Sequence, residues 1–299
     1  IVRERFATLN RLFGRNFGVS FAVKSNPNIE LLKALKPLVT TLDVSSFGEV
    51  ERGLKSGFDP RKLTFSGPAK RAAEIRGAIS CGLGELVLES VSEARQASAI
   101  AQELGVTQNV LIRLNPVKVP RHFGVNMAGK PNQFGIDEEV CEEAIDTIRA
   151  LPGLELIGFH IYSGTNSLNV DAIVENFKIF IDLFKRAAER ANIRPRKLIF
   201  GSGFGIPYME GESPLAVDAL AERITPEVDS LKSDSRFTDA ACVLEMGRWL
   251  VGPAGWLVTR VVSAKESRGV QIRACDAGFN NHLAATLQLP CHHIGQWHG

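Results

Sequence analysis

Short apolar or β-branched runs alternate along this chain with longer segments in which apolar residues return at helical spacing. The alternation predicts strands over Val19 to Lys24, Thr41 to Ser45, Leu63 to Ser66, Leu86 to Glu89, Val110 to Leu114, Leu156 to Ile161, Leu198 to Gly201 and Ala241 to Glu245. Between them it predicts helices over Ile29 to Lys36, Phe47 to Ser56, Lys70 to Cys81, Val91 to Leu104, Glu138 to Ala150 and Val170 to Ala191. Eight strands with intervening helices in roughly 250 residues are what an α/β fold of the (β/α)8, TIM-type barrel class requires; a doubly wound parallel sheet is the main rival. No repeat, linker or low-complexity stretch divides residues 1–250, which are read as one barrel. After Arg248 the pattern becomes valine-rich, with Trp256 to Val262, a turn at Ser267-Arg268-Gly269 and a second run over Val270 to Ala274. This is a hairpin opening an antiparallel β domain, read as residues 251–299 and incomplete within the chain.

Composition changes this picture little. The 299 residues are 44% hydrophobic and 23% charged, with a formal net charge of +2, as in an ordinary globular protein. Basic residues are spread and matched by acids, so nucleic acid is not expected as a partner. No apolar run reaches the ~18 to 20 residues of a membrane span. The start, Ile1 to Phe6, lacks the succession of a signal peptide, so the expected setting is cytoplasmic. Cys81, Cys141, Cys242, Cys275 and Cys291 are odd in number and without paired spacing, which suggests neither a disulfide framework nor a metal site.

A barrel carries its chemistry on the carboxyl ends of its strands, and those ends are polar here. In order they offer Lys24, Asp43 with Ser45 and Ser46, Ser66, Glu89, Arg113, His160 with Ser163, the turn Gly201-Ser202-Gly203-Phe204-Gly205, and Glu245 with Arg248. One such residue could simply be a polar group leaving a strand; all eight together point to a shared site. Lys24, followed by the strand-ending Asn26-Pro27, is a candidate to form an imine with an aldehyde or ketone. The glycine turn either cradles a phosphate with its backbone N–H groups or is a tight turn that needs positive φ. Its G-x-G-x-G spacing departs from the dinucleotide fingerprint, and no ribose-binding acid follows. Arg248 suits bidentate phosphate binding. Glu245 reads as a buried charge with no evident partner, which a protonated pyridine nitrogen would satisfy.

Taken together, Ala22-Val23-Lys24-Ser25-Asn26-Pro27, Asp43-Val44-Ser45-Ser46 with Glu49, Arg113-Leu114-Asn115-Pro116, Gln133-Phe134-Gly135-Ile136, Gly158 to Gly164, Gly201-Ser202-Gly203-Phe204, Glu245-Met246-Gly247-Arg248 and Cys275-Asp276-Ala277-Gly278 resemble the fold type III, alanine-racemase-like pyridoxal phosphate enzymes. Within these, the resemblance is to the ornithine/diaminopimelate/arginine decarboxylases and spans nearly the whole chain. It implies pyridoxal 5'-phosphate as cofactor, a Schiff base on Lys24 and His160 stacked on the pyridine ring. It also implies Glu245 on the pyridinium nitrogen, Ser163, Gly203, Gly247 and Arg248 on the phosphate, and Asp43, Glu49 and Arg113 orienting the lysine and its surroundings. Lys24, His160 and Glu245 are then the catalytic set, and no metal is called for. The racemase branch is known for an arginine at the ring nitrogen, so a carboxylate there favours decarboxylation.

Met246, Ser202 and Gln133 depart from the residues common in relatives without removing a catalytic group. Relatives begin with an additional β-domain strand and continue past Gly299 with a cysteine-containing motif and a tyrosine that complete the site across a homodimer interface. The expectation is therefore a shortened chain that binds cofactor but decarboxylates poorly. The tail from Thr286, with Cys291, His292, His293 and His298, reads as a divergent end rather than a metal site. The substrate expected first is diaminopimelate, in lysine biosynthesis. Ser66 to Lys70, Tyr162 to Thr165 and Asn280 to Leu283 look closer to decarboxylases of secondary metabolism, including one acting on a carrier-tethered glutamyl group. A barrel aldolase using Lys24 without cofactor and a non-catalytic pyridoxal phosphate carrier are the readings from other classes.

Overall fold

The computed structural model describes residues 1–209, 211–278 and 281. Helix α1 (Val2–Phe13) leads into eight parallel strands: β1 (Phe17–Ala22), β2 (Thr41–Val44), β3 (Leu63–Phe65), β4 (Glu85–Leu88), β5 (Gln108–Asn115), β6 (Leu154–Ile161), β7 (Lys197–Gly201) and β8 (Ala241–Met246). Each pairs with its neighbours in sequence, and β1 also pairs with β8, so the sheet closes on itself. Outside the strands lie α2 (Ile29–Leu35), α3 (Phe47–Lys55), α4 (Ala72–Ser80), α5 (Val91–Glu103), α6 (Cys141–Arg149), α7 (Val170–Ala191) and α8 (Val217–Ser233). The fold is the TIM-type barrel of the sequence reading, and closure excludes the open doubly wound sheet. Among the described residues no helix is long and apolar enough to cross a membrane.

Strand alternation decides what enters the barrel. One parity, for example Phe21, Leu42, Phe65, Leu88, Ile112, Phe200 and Leu244, joins the large core shared with the helices. The other parity brings Val87, Leu111, Ile157, Ile199 and Val243 together as a separate apolar plug inside. Below the plug, Lys197 Nζ lies 2.7 Å from Glu85 Oε2, and the Thr64 hydroxyl donates to the same carboxylate. Above it, the same inward parity carries Asp43, Ser66, Glu89, Arg113, His160 and Glu245 to the carboxyl-end mouth.

His160 reaches that mouth through an irregularity. Val110 pairs with Leu156, but Leu111 pairs with Gly158, so β6 carries one extra residue. Ile157 faces the plug while Phe159 and Ile161 face the helices; without the bulge His160 would point outward. Gly158 makes the bulge feasible, because a Cβ there would lie 1.7 Å from the Lys197 carbonyl oxygen. We expect Gly158→Ala to destabilise the barrel by about 1–3 kcal/mol, read from urea unfolding, by forcing β6 and β7 apart.

The structure differs from the sequence reading at element ends. Strand β1 stops at Ala22, and Lys24 lies in a 3-10 turn, Val23–Ser25, closed by Ser25 Oγ donating to Ala22 O at 2.7 Å and Asn26 N–H to Val23 O at 3.0 Å. Helix α4 begins at Ala72 rather than Lys70, because Lys70 turns inward to donate to Gly67 O, Val87 O and Glu93 Oε1 at 2.6, 2.8 and 2.5 Å. A 3-10 turn, Glu138–Val140, precedes α6. Helix α8 has no counterpart in the sequence reading. A four-residue helix, α9 (Arg248–Val251), follows β8. The hairpin is present as β9 (Val261–Ser267) and β10 (Val270–Cys275), antiparallel around Arg268 and Gly269, both at positive φ. Residues Trp256 to Arg260, which the sequence pattern places in its first strand, are not extended into the ladder. The tail motifs at Thr286 to Gly299, and Asn280, His282 and Leu283, lie outside the described residues.

Candidate active site

The inward ends of the strands converge on Lys24. Its Nζ lies 3.3 Å from Glu245 Oε1 and 3.6 Å from Asp43 Oδ2, at the end of a side chain that is 51% exposed. Both carboxylates are almost fully buried. Glu245 Oε2 meets His160 Nε2 at 2.9 Å; since an ionised carboxylate only accepts, this contact places the ring proton on Nε2. Asp43 Oδ1 accepts from the Ser66 hydroxyl. Arg113 donates to Glu89 Oε1 at 2.9 Å and to the Tyr162 carbonyl at 3.4 Å, with its guanidinium 4.6 Å from the Phe134 ring. Glu89 Oε2 in turn accepts the Gly135 N–H at 2.9 Å, tying down the loop that follows β5.

These neighbours set the charges. Burial acts to lower the Lys24 pKa, but Glu245 and Asp43 outweigh it and hold the ammonium above its ordinary value. Burial acts to raise Glu245, yet Lys24 and His160 keep it below the usual carboxylate range. Asp43, desolvated and beside the charge of Glu245, is pushed up to about 7. Burial lowers His160 against the pull of Glu245, so its imidazole is neutral at pH 7. The sequence alone offers Glu245 no cation; the structure corrects this, because Lys24 itself faces it.

Two cavities open on either side of this cluster. One, of about 310 Å³, is lined by Lys24, Ser202, Gly203, Glu245, Gly247 and Arg248 among others. The other, of about 200 Å³, is bordered by Ser66, Gly67, Arg113, Phe134 and His160 as well as Lys24 and Glu245. The fold thus brings together Lys24, Asp43, Arg113, His160, Gly203, Glu245, Gly247 and Arg248. It does not bring Ser163 to the cavity wall: that hydroxyl is fully buried and donates to Asn176 Oδ1 at 2.6 Å. Nor does Glu49 touch Lys24. Its carboxylate accepts the Ser45 N–H at 2.8 Å while its own N–H is capped by Ser46 Oγ, so it shapes the β2–α3 loop. Met127, which the sequence pattern singles out nowhere, lines the larger cavity together with Ser202 of the glycine turn and with Tyr162 and Thr165, which the sequence pattern gives no role on the cofactor. Tyr162 was foreseeable from its place two residues beyond His160, on the same face.

The donor set fits a phosphorylated pyridine aldehyde. Three buried polar atoms of the cluster have no hydrogen-bond partner among the described residues: Asp43 Oδ2, His160 Nδ1 and Arg248 Nε. Arg248 faces the cavity with its other end held by the Tyr208 hydroxyl, so a phosphate beside the glycine turn would satisfy the remaining N–H. Lys24 at the centre of the cluster can meet an aldehyde once it gives up its proton, and the buried carboxylate suits a ring cation.

Residues 1–252 match the family described as pyridoxal-dependent decarboxylase, pyridoxal binding domain. The chain is 33% identical over 267 residues to the L-glutamyl-[BtrI acyl-carrier protein] decarboxylase of Niallia circulans, covering 89% of this chain and 62% of that protein. It is 31% identical to the diaminopimelate decarboxylase of Methanothermobacter thermautotrophicus, covering 98% of this chain and 68% of the relative. The crystal structure of diaminopimelate decarboxylase from M. jannaschii in co-complex with L-lysine superposes with a TM-score of 0.85 at 26% identity, covering 98% of this chain and 69% of that one. This chain therefore spans about two thirds of the length of these proteins.

Proposed function

The chain belongs to the pyridoxal-dependent decarboxylases, and from that premise we propose that it removes the α-carboxyl group of an amino acid with pyridoxal 5'-phosphate held at Lys24. The observation that carries this reading is the buried Glu245 carboxylate at the end of β8, kept ionised within reach of Lys24 and His160. When bound, the cofactor supplies an aldehyde carbon and a pyridine ring that, once protonated, accepts the electron pair left as carbon dioxide departs. Glu245 would hold the proton on that ring nitrogen. His160, fixed through Nε2, would stand against the ring, and Lys24 would hold the aldehyde. Gly203, Gly247 and Arg248 would hold the phosphate, with the Thr165 and Ser202 hydroxyls on the same wall. Ser163 acts from behind through Asn176. Asp43 orients the Lys24 amine, and Arg113 with Glu89 orders the wall on the other side.

Diaminopimelate, and with it a place in lysine biosynthesis, is the first substrate reading, supported by the similarity to diaminopimelate decarboxylases. A glutamyl group tethered to a carrier protein is the second, favoured by the 33% identical relative. A cytoplasmic homodimer with its sites at the interface completes the proposal, as does a division into the barrel, 1–250, and a β domain from 251. The exposed Trp256, Leu257 and Val258 support a further apolar contact there. Carbon dioxide release should be measured from diaminopimelate, lysine, ornithine, arginine, free glutamate and glutamyl-carrier in the presence of cofactor. Release from one of them is expected. Cofactor bound at Lys24 with no release from any would overturn the decarboxylase reading in favour of a non-catalytic carrier.

A further inference from the structure

Tyr162 holds no place in the cofactor-binding set, yet it lines both cavities beside Lys24. It follows β6 two residues after His160, on the inward parity that the Gly158 bulge created. Its ring is held in place by a missing side chain. A Cβ built on Gly201, the inward residue that ends β7, would lie 2.3 Å from Tyr162 Cδ2, 2.6 Å from Cγ and 2.7 Å from the Tyr162 Cα. The ring therefore rests on the bare Cα of Gly201. Thr165, paired with Val125 in a two-residue antiparallel ladder, lines the larger cavity beside the ring. Lys24 Nζ lies 5.6 Å from the ring centroid, within the range in which an ammonium is attracted to an aromatic face.

We propose that Tyr162 is a positioning residue for Lys24, its ring seated on Gly201 so as to keep the amine against Glu245 and Asp43, between the two cavities. A lysine side chain with half its surface exposed has several rotors and reaches solvent easily. The carboxylates attract Nζ but do not confine the methylenes; the ring supplies a wall and a favourable face. The requirement for glycine at 201 follows, since any side chain there displaces the wall.

The inference rests on Lys24 being the cofactor-binding amine, and the test separates the two. Pyridoxal phosphate attachment is trapped with borohydride at a series of times and pH values, and the labelled peptide is quantified in the wild type, Y162F, Y162A and G201A. Thermal unfolding is recorded for each, and Y162L is read in place of Y162A should the latter not fold. Y162F keeps the ring on Gly201 and retains most of the labelling rate. Toward the alkaline end of the series, where protonation restrains the amine least, Y162A slows Lys24 labelling about tenfold, as expected when an attacking group loses its orientation. G201A, whose Cβ would press on both the ring and the Tyr162 backbone, causes at least as large a loss. Labelling of Y162A at the wild-type rate and pH profile would overturn the proposal. Absence of the Lys24 label in the wild type would instead defeat the cofactor reading itself.

Discussion

Lys24→Met abolishes borohydride-trapped attachment of pyridoxal phosphate, and no other lysine of the barrel interior takes its place. The reason is geometric. Lys70 Nζ is buried with three acceptors at 2.5 to 2.8 Å, which use all three of its protons. Lys197 lies below the apolar plug, bound to Glu85 at the opposite end of the barrel. Peptide mapping by mass spectrometry checks the result; a cavity-lining peptide other than that of residue 24, labelled at wild-type stoichiometry, would refute the assignment. Stability responds as well, with a defined sign. Met removes the cation that faces the Asp43 and Glu245 carboxylates, so both folded-state pKa values rise relative to the wild type. A carboxylate whose folded pKa lies above its unfolded value near 4 costs stability as pH rises through that interval. The melting temperature of the variant should therefore fall further below that of the wild type at pH 8 than at pH 5. The half-exposed position of the lysine makes the loss smaller than that for a fully buried pair.

The eight strands and most helices are legible because local alternation and helical spacing report burial directly. Strand β6 shows where that stops. Leu156-Ile157-Gly158-Phe159-His160-Ile161 has no visible break, yet the pairing with β5 inserts a residue at Gly158 and turns His160 and Tyr162 inward. A bulge is a property of two strands, and one strand's sequence does not contain its partner's register. Helix α8 escapes reading for a different reason: Pro226 stands inside it, and a proline argues against a helix interior unless tertiary packing overrides it. At the site, the types and order of the strand-end residues are readable, but their pairings are not. Glu245 faces Lys24 across 221 positions of sequence, and Ser163 turns to Asn176 on α7 instead of the cavity.

The separation of anchoring from chemistry is sharpest at Glu245. In Glu245→Gln the amide oxygen still accepts from His160 Nε2, so the shape of the site is retained while the charge is lost. Two effects of opposite sign follow. Burial lowers the Lys24 pKa and Glu245 raises it, with Asp43 a further raising influence. Removing the Glu245 charge therefore lowers the Lys24 pKa and increases the neutral fraction of the amine at pH 7, where the ammonium form dominates, in proportion to the change in its acid dissociation constant. Pyridoxal phosphate attachment at pH 7 should proceed at least as fast as in the wild type, and its rate profile should move toward lower pH. Decarboxylation should instead fall by about 10²-fold or more, because a neutral amide does not keep the ring nitrogen protonated and the preorganised charge opposite it is gone. Labelling rates across a pH series, set beside carbon dioxide release by the same preparation, read both effects. Equal loss of attachment and turnover would mean that the substitution had damaged the site as a whole, and undiminished turnover would remove Glu245 from the chemistry. Faster attachment with lost turnover is the pattern expected of a carboxylate that restrains the lysine before the cofactor arrives and serves the ring afterwards.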